Sequence, residues 1–246
     1  MAQKTLVLGA TSAIAQETAK LLAGDGDRLY LVARDAERLE IVARDLEIRS
    51  GLPVGRLVAD LNDAERHPAI VDEATRVLDG LDTVIVAHGI LGDAERCRAS
   101  FAATEQVLRT NFLSAVSILT LVAERFEGQG SGTIVGISSV AGDRARQSNY
   151  VYGTSKGALS LFLQGLRNRL HGCGVRVVTL KPGFVATPMT AHLDQGALFA
   201  SPESVARGIR RAIRRGSDVV YLPWFWRIIM LIIRMIPESI FKRMKL

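Results

Sequence analysis

Short apolar runs rich in valine, leucine and isoleucine recur along the chain and alternate with longer segments of helical periodicity. Runs of four to eight apolar residues between turn formers read as strands buried on both faces. Segments with apolar positions three and four residues apart read as helices that cover them. Strands are predicted at 5–8, 28–33, 54–59, 83–87, 132–137, 175–180 and 218–222, and helices at 12–23, 36–50, 63–78, 101–126, 150–171 and 202–214. This alternation predicts repeated βαβ units, hence an α/β fold with one parallel seven-stranded sheet and helices on both faces. Residues 1–222 form that unit, and 223–246 are left as a basic, apolar tail.

With 246 residues and 48% hydrophobic content, the chain can bury one large core. Cys97 and Cys173 are too few and too far apart for a disulfide framework or a zinc site, and His67, His88, His171 and His192 have no ligand spacing, so no metal is expected. The opening Met-Ala-Gln-Lys-Thr runs straight into the first strand without the features of a secretory signal, so a cytoplasmic setting is expected. Net charge is +6, and residues 201–246, with ten basic and three acidic side chains, hold all of the excess. No nucleic-acid recognition motif accompanies them; an anionic membrane surface suits the charge better.

The chemistry concentrates in Tyr152-Gly-Thr-Ser-Lys156 and in Ser139, thirteen residues earlier. A Tyr and a Lys four apart lie about 40° apart around a helix and project from one face. An ammonium beside the phenol should pull its pKa down from about 10, as a general acid at neutral pH requires. The Ser139 hydroxyl can hold a carbonyl oxygen where the Tyr152 proton must arrive. Before these, Gly9-Ala-Thr11-Ser12-Ala13-Ile14 follows the first strand as a small-residue turn into a helix, whose free N–H groups suit phosphate.

Together these residues resemble the short-chain dehydrogenase/reductase family, over nearly the whole chain. Ser139, Tyr152 and Lys156 match its catalytic trio, and Asn111 in Arg-Thr-Asn-Phe matches its fourth member. The resemblance implies a doubly wound (Rossmann) sheet and hydride transfer between a nicotinamide cofactor and a carbonyl or alcohol. It implies that Ser139 steadies the alkoxide, that Lys156 also binds the nicotinamide ribose, and that Asn111 holds a water relaying protons to Lys156. Of the family's three loop glycines only Gly9 is kept; Ala13 and Ala15 replace the others. Asp60, followed by Leu61, matches the adenine-binding acid. Ala87-His88-Gly89 stands where the family reads Asn-Ala-Gly, so His88 faces either the cofactor ribose or a buried partner. Pro182-Gly183-Phe184-Val185-Ala-Thr187 resembles the segment that grips the nicotinamide amide. Ala33 occupies the place of the acid that selects NAD(H), and Arg34 follows it; a guanidinium suits a 2′-phosphate, so NADP(H) is expected over NAD(H).

Between Pro223 and Pro237 lie thirteen residues, too few to span a bilayer, which takes about 20. Arg227, Arg234, Glu238, Lys242 and Lys245 share one side of a helical wheel, and Trp224, Phe225 and Trp226 are aromatics of the interfacial kind. The tail therefore either lies on a membrane's inner face or packs across the substrate cleft or a subunit interface of a homodimer or homotetramer. Arg144 and Arg146, near the substrate mouth, either grip a phosphate or are solvated; Met189 and Phe199 offer apolar contacts from the lid. Leu8-Gly-Ala-Thr-Ser12, Ala87-His-Gly-Ile-Leu-Gly-Asp93 and the tail resemble reductases of polyprenyl-phosphate-linked keto sugars. A lipid ketone of the 3-keto acyl or sphingoid type is the alternative substrate, and a non-catalytic, membrane-attached NADP(H) sensor the alternative function.

Overall fold

A computed structural model describes residues 2–244. Its strands are β1 (Lys4–Leu8), β2 (Arg28–Ala33), β3 (Gly55–Val58), β4 (Thr83–Val86), β5 (Gly132–Ile137), β6 (Val175–Pro182) and β7 (Val219–Leu222). They form one sheet in the order β3-β2-β1-β4-β5-β6-β7, with every pairing parallel. The direction of strand addition reverses between β1 and β4, so the loops after those two strands part and leave a crevice at their carboxyl ends. Within a strand, alternate residues serve opposite cores: Leu6 and Leu8 join one cluster, Val7 the other. That is why the strands read as unbroken apolar runs.

The helices are α1 (Ala13–Gly24), α2 (Ala36–Ser50), α3 (His67–Leu78), α4 (Ala94–Ala99), α5 (Phe101–Leu108), α6 (Ser114–Gln129), α7 (Tyr150–Leu170), α8 (Pro202–Arg215), α9 (Trp226–Met235) and α10 (Glu238–Phe241). Ser12 caps α1 by accepting from Ala15 N at 3.3 Å, and Asp35 caps α2 by accepting from Arg38 N at 3.0 Å. One continuous helix was expected over 101–126. Instead a π-helical turn, Arg109–Leu113, divides α5 from α6. The residues the turn buries, Thr110 and Asn111, are polar and carry no hydrophobic period, so apolar spacing does not reveal it. Phe101–Gln129 is long and apolar enough to cross a membrane by length and composition, yet Ile118, Leu119, Val122, Ala123 and Phe126 are wholly buried in the core.

In the tail, Pro237 separates α9 from α10, and Lys245 lies outside the described residues. Trp226 and Met230 pack with Val140, Phe184 and Tyr221 into a separate apolar cluster. One side of the tail is therefore part of the protein.

The turn after β5 lies unusually close to α7. A Cβ on Gly142 would stand 2.6 Å from Gly157 N, and one on Gly153 would stand 2.9 Å from Ala141 O. These glycines let two backbones approach without side chains between them, which sets the distance from Ser139 to Tyr152. Gly165, in the same helix, faces open space. Gly153→Ala should therefore lower stability by about 1–3 kcal/mol through overpacking. Gly165→Ala should raise it by about 0.5–1 kcal/mol through helix propensity. Urea midpoints of the two variants should move in opposite directions.

Candidate active site

The crevice between the β1 and β4 loops continues past β5 and β6 as one cleft of about 670 Å³. It is lined by Gly9, Thr11, Ser12, Ala13, Ile14, Arg34, Asp60, Leu61, Ala87, His88 and Gly89 at one end. Ser139, Tyr152, Lys156, Pro182, Gly183, Val185, Thr187 and Met189 line the other. Residues scattered over the chain thus meet in one space large enough for a cofactor.

Gly9 has φ +82°, and a Cβ there would stand 2.6 Å from the His88 backbone nitrogen. Only glycine fits where the two loops cross. Beyond it, α1 begins with a Ser12 cap and has no acidic residue in its first turn, so its positive end faces the cleft, with Glu17 of the second turn also in the lining. Arg34 is joined by Arg38, which the sequence reading missed; it too lines the cleft, with Nη2 3.5 Å from Thr11 O. Arg38 stands four residues beyond Arg34, one turn into a helix whose start Asp35 marks, and that spacing was its only signal. A bare helix end beside two guanidinium groups fits the phosphates of a dinucleotide.

Tyr152 is hydrogen-bonded to Ser139, whose Oγ is oriented by Ala141 N at 3.1 Å. Burial raises the Tyr152 pKa, and the Ser139 contact only partly opposes it. This corrects the expectation that Lys156 lowers it. The Lys156 ammonium donates to Ile137 O at 2.9 Å and lies 6.0 Å from the Tyr152 ring centre. Burial wins at the phenol, which stays protonated at neutral pH and ready to donate. Burial also lowers the Lys156 pKa to about 8.

Asn111 sits in the π-helical turn and does not line the cleft. Its Oδ1 accepts from Ile90 N at 2.7 Å, and its Nδ2 donates to Ile90 O at 2.8 Å and Ser155 Oγ at 3.0 Å. Ser155 Oγ in turn donates to Tyr152 O at 2.7 Å. Through these bonds the Asn111 side chain braces the β4 loop against the catalytic turn of α7. Ser138 braces the other side by donating to Lys156 O at 2.8 Å. Its place beside Ser139 in sequence gave no hint of that.

His88 meets both of its expected alternatives in part. Its ring lines the cleft, and Nε2 lies 2.7 Å from Ser114 Oγ, which itself donates to Thr110 O at 2.8 Å. Nε2 therefore carries the hydrogen. Burial drives the pKa to about 3, so the ring is neutral. Nδ1 has no partner among the described residues.

Three expected substrate contacts lie elsewhere. Arg144 neither grips substrate nor is solvated: it donates to Ile233 O and Ile236 O, each at 2.6 Å, and to Glu238 Oε2 at 3.0 Å. Its guanidinium also lies 3.7 Å from the Phe241 ring centre. A cation at the carbonyl end of α9 is favoured there, so Arg144 clamps the tail. Arg146 lines a second cavity of about 230 Å³ with α10 residues, outside the cleft. Phe199 stacks on Phe184 at 5.3 Å, and Phe184 meets Trp226 edge-on at 5.4 Å, joining lid, β6 segment and tail. Behind them Asp143 receives Lys181 and the Tyr221 hydroxyl, tying the Ser139 turn to β6 and β7.

A family model described as short chain dehydrogenase matches residues 3–197. An uncharacterized oxidoreductase of Mycobacterium tuberculosis is 35% identical over 243 residues, covering 99% of this chain and 97% of the relative. One from Streptomyces coelicolor is 38% identical over 239 residues, covering 97% and 94%. Among solved structures, an actinorhodin polyketide ketoreductase with NADPH superposes with a TM-score of 0.82 at 22% identity, covering 92% of this chain and 99% of that one.

Removing the Tyr152 hydroxyl leaves the ring in place and takes away the proton donor. Tyr152→Phe should lower turnover by about 10²–10⁴-fold, while cofactor affinity, measured by titration, changes little. Near-normal turnover would assign the proton to another group.

Proposed function

The chain belongs to the short-chain dehydrogenase family of oxidoreductases, and we propose that it reduces a ketone to a secondary alcohol with NADPH. The observation that carries this reading is a half-buried, protonated Tyr152 bonded to Ser139 in the same cleft as a phosphate-binding helix end. A reduced nicotinamide, when bound, supplies the hydride. Ser139 holds the substrate oxygen by a hydrogen bond that strengthens as negative charge develops there. Tyr152 gives that oxygen its proton, and the Lys156 ammonium, 6.0 Å from the ring centre, is the nearby acid that can restore it. Gly183, Val185 and Thr187 line the cleft where the nicotinamide amide would be held.

The pairing of Arg34 with Arg38 and the absence of an acid at position 33 support NADPH over NADH. The substrate we infer is a polyprenyl-phosphate-linked keto sugar, handled in the cytoplasm at the inner face of a membrane. Exposed Leu193 and Leu198 on the lid, with Met189 in the cleft, support a lipidic group at its mouth. A homodimer or homotetramer is supported by Phe101, Leu113 and Leu161, large apolar side chains left on the surface. The direct test is NADPH consumption with a polyprenyl-phosphate keto sugar beside a 3-keto acyl thioester. Turnover of the thioester alone would change the substrate class; cofactor binding without turnover of any ketone would leave a sensor.

Two expectations follow for the cofactor and for pH. Arg34→Ala and Arg38→Ala should each weaken NADPH binding about tenfold or more, the loss of one charge-assisted phosphate contact, and leave NADH binding unchanged. Equal losses for both cofactors would make the arginines structural. Since burial lowers the Lys156 pKa to about 8, its charge is lost above that pH while Tyr152 keeps its proton. The kcat/KM for reduction should be level below about pH 8 and fall above it. A profile flat to about pH 10 would remove Lys156 from the proton chemistry.

A further inference from the structure

We propose that the outward face of α9, continued by Trp224, Ile240 and Met244, docks on an anionic lipid bilayer and holds the active-site mouth against it. At about 100° per residue, α9 divides into two apolar arcs. Trp226, Ile229, Met230 and Ile233 face the protein and pack there. On the opposite arc, Ile228, Leu231, Ile232 and Met235 are 51%, 59%, 60% and 75% exposed. Four large apolar side chains in one open arc of a ten-residue helix mark an interaction surface.

The surrounding charge selects the partner. Arg227 and Arg234, seven residues apart, stand together on one border of the open arc, and exposed Lys242 and Arg243 follow α10. The acid among the described tail residues, Glu238, is bonded to Arg144. A second copy meeting this face across a two-fold axis would bring the same cationic border against itself. A bilayer with anionic headgroups takes both the apolar arc and the positive border. Thirteen residues between Pro223 and Pro237 cannot span it, so α9 lies in the surface plane.

The packed arc gives this docking a consequence for the site. Trp226 and Met230 cluster with Val140, next to Ser139, and with Phe184, next to Gly183. A bilayer on the outer arc therefore stands about one helix diameter, roughly 10–12 Å, from those walls. A lipid-borne ketone could reach the cleft without leaving its membrane. That last step rests on the reductase reading; adsorption itself does not.

The test is sedimentation of the full chain with vesicles of phosphatidylglycerol and phosphatidylcholine, beside vesicles of phosphatidylcholine alone. The chain should pellet with the anionic vesicles. Each basic side chain near the surface contributes about fivefold to partitioning, so neutral vesicles should hold it at least tenfold less. The double variant Leu231→Ser/Ile232→Ser should partition about tenfold or more weakly, with its melting temperature and NADPH affinity unchanged. Arg227→Gln/Arg234→Gln should weaken binding to anionic vesicles and leave the residual binding to neutral ones unaltered. Failure of the full chain to pellet, or a Leu231/Ile232 variant that pellets like the parent, overturns the proposal. So does a smaller oligomer for that variant without change in pelleting, which would make the face a subunit contact. NADPH oxidation with a water-soluble ketone is read separately: turnover without pelleting defeats the docking surface alone, and pelleting without turnover defeats the reductase reading alone.

Discussion

The separation between the Ser139 turn and α7 governs most of what this protein can do. Ser139 and Tyr152 belong to different elements, and their hydroxyls meet because Gly142, Gly153 and Gly157 let the two backbones nearly touch. A single methyl at that contact would move one partner by a fraction of an ångström, enough to lose a hydrogen bond whose useful range is itself only about half an ångström wide. The surroundings confirm how closely this contact is held. Asn111 and Ser155 fix the first turn of α7 from the β4 side, Ser138 fixes Lys156 from the β5 side, and Asp143 joins the turn to β6 and β7.

Burial then decides the electrostatics. A phenol and an ammonium brought out of water both move toward their neutral forms, upward for Tyr152 and downward for Lys156. Starting from nearly the same value, their pKa values move apart, so the phenol keeps its proton at a pH where the lysine gives one up. Lysine is thereby the stronger acid of the pair and can pass a proton toward the phenol, which side-chain spacing alone would not have indicated. His88 follows the same rule: desolvation leaves it neutral, and the Ser114–Thr110 chain decides which nitrogen holds the hydrogen.

Much of this was legible in the chain. Parallel strands buried on both faces leave unbroken apolar runs, and the seven strands lie where those runs fall. The small-residue turn at Gly9, the Tyr152–Lys156 spacing and the cap at Asp35 are local features with local causes, so they survive translation from sequence to structure. Arg144 did not, because its role depends on carbonyls some ninety residues away in α9. The π-helical turn escaped because the residues it buries, Thr110 and Asn111, are polar and give no hydrophobic period to read. The tail was seen as a choice between membrane and protein, whereas a helix apolar on two opposite arcs packs on protein with one and keeps the other outside; a wheel shows the arcs but not which is covered.

The tail also places two indoles two residues apart in opposite surroundings. Trp224 is 73% exposed, while Trp226 is 2% exposed against Gly183 and Phe184. These are the protein's two tryptophans, so its intrinsic emission is the sum of a solvent-facing and an interior signal. A reduced nicotinamide absorbs where indole emits, and the interior indole lies against the segment that lines its site. The chain thus contains its own optical reporters, one for the cleft and one for whatever covers the outer surface of the tail, and they can be read in the same cuvette without a label.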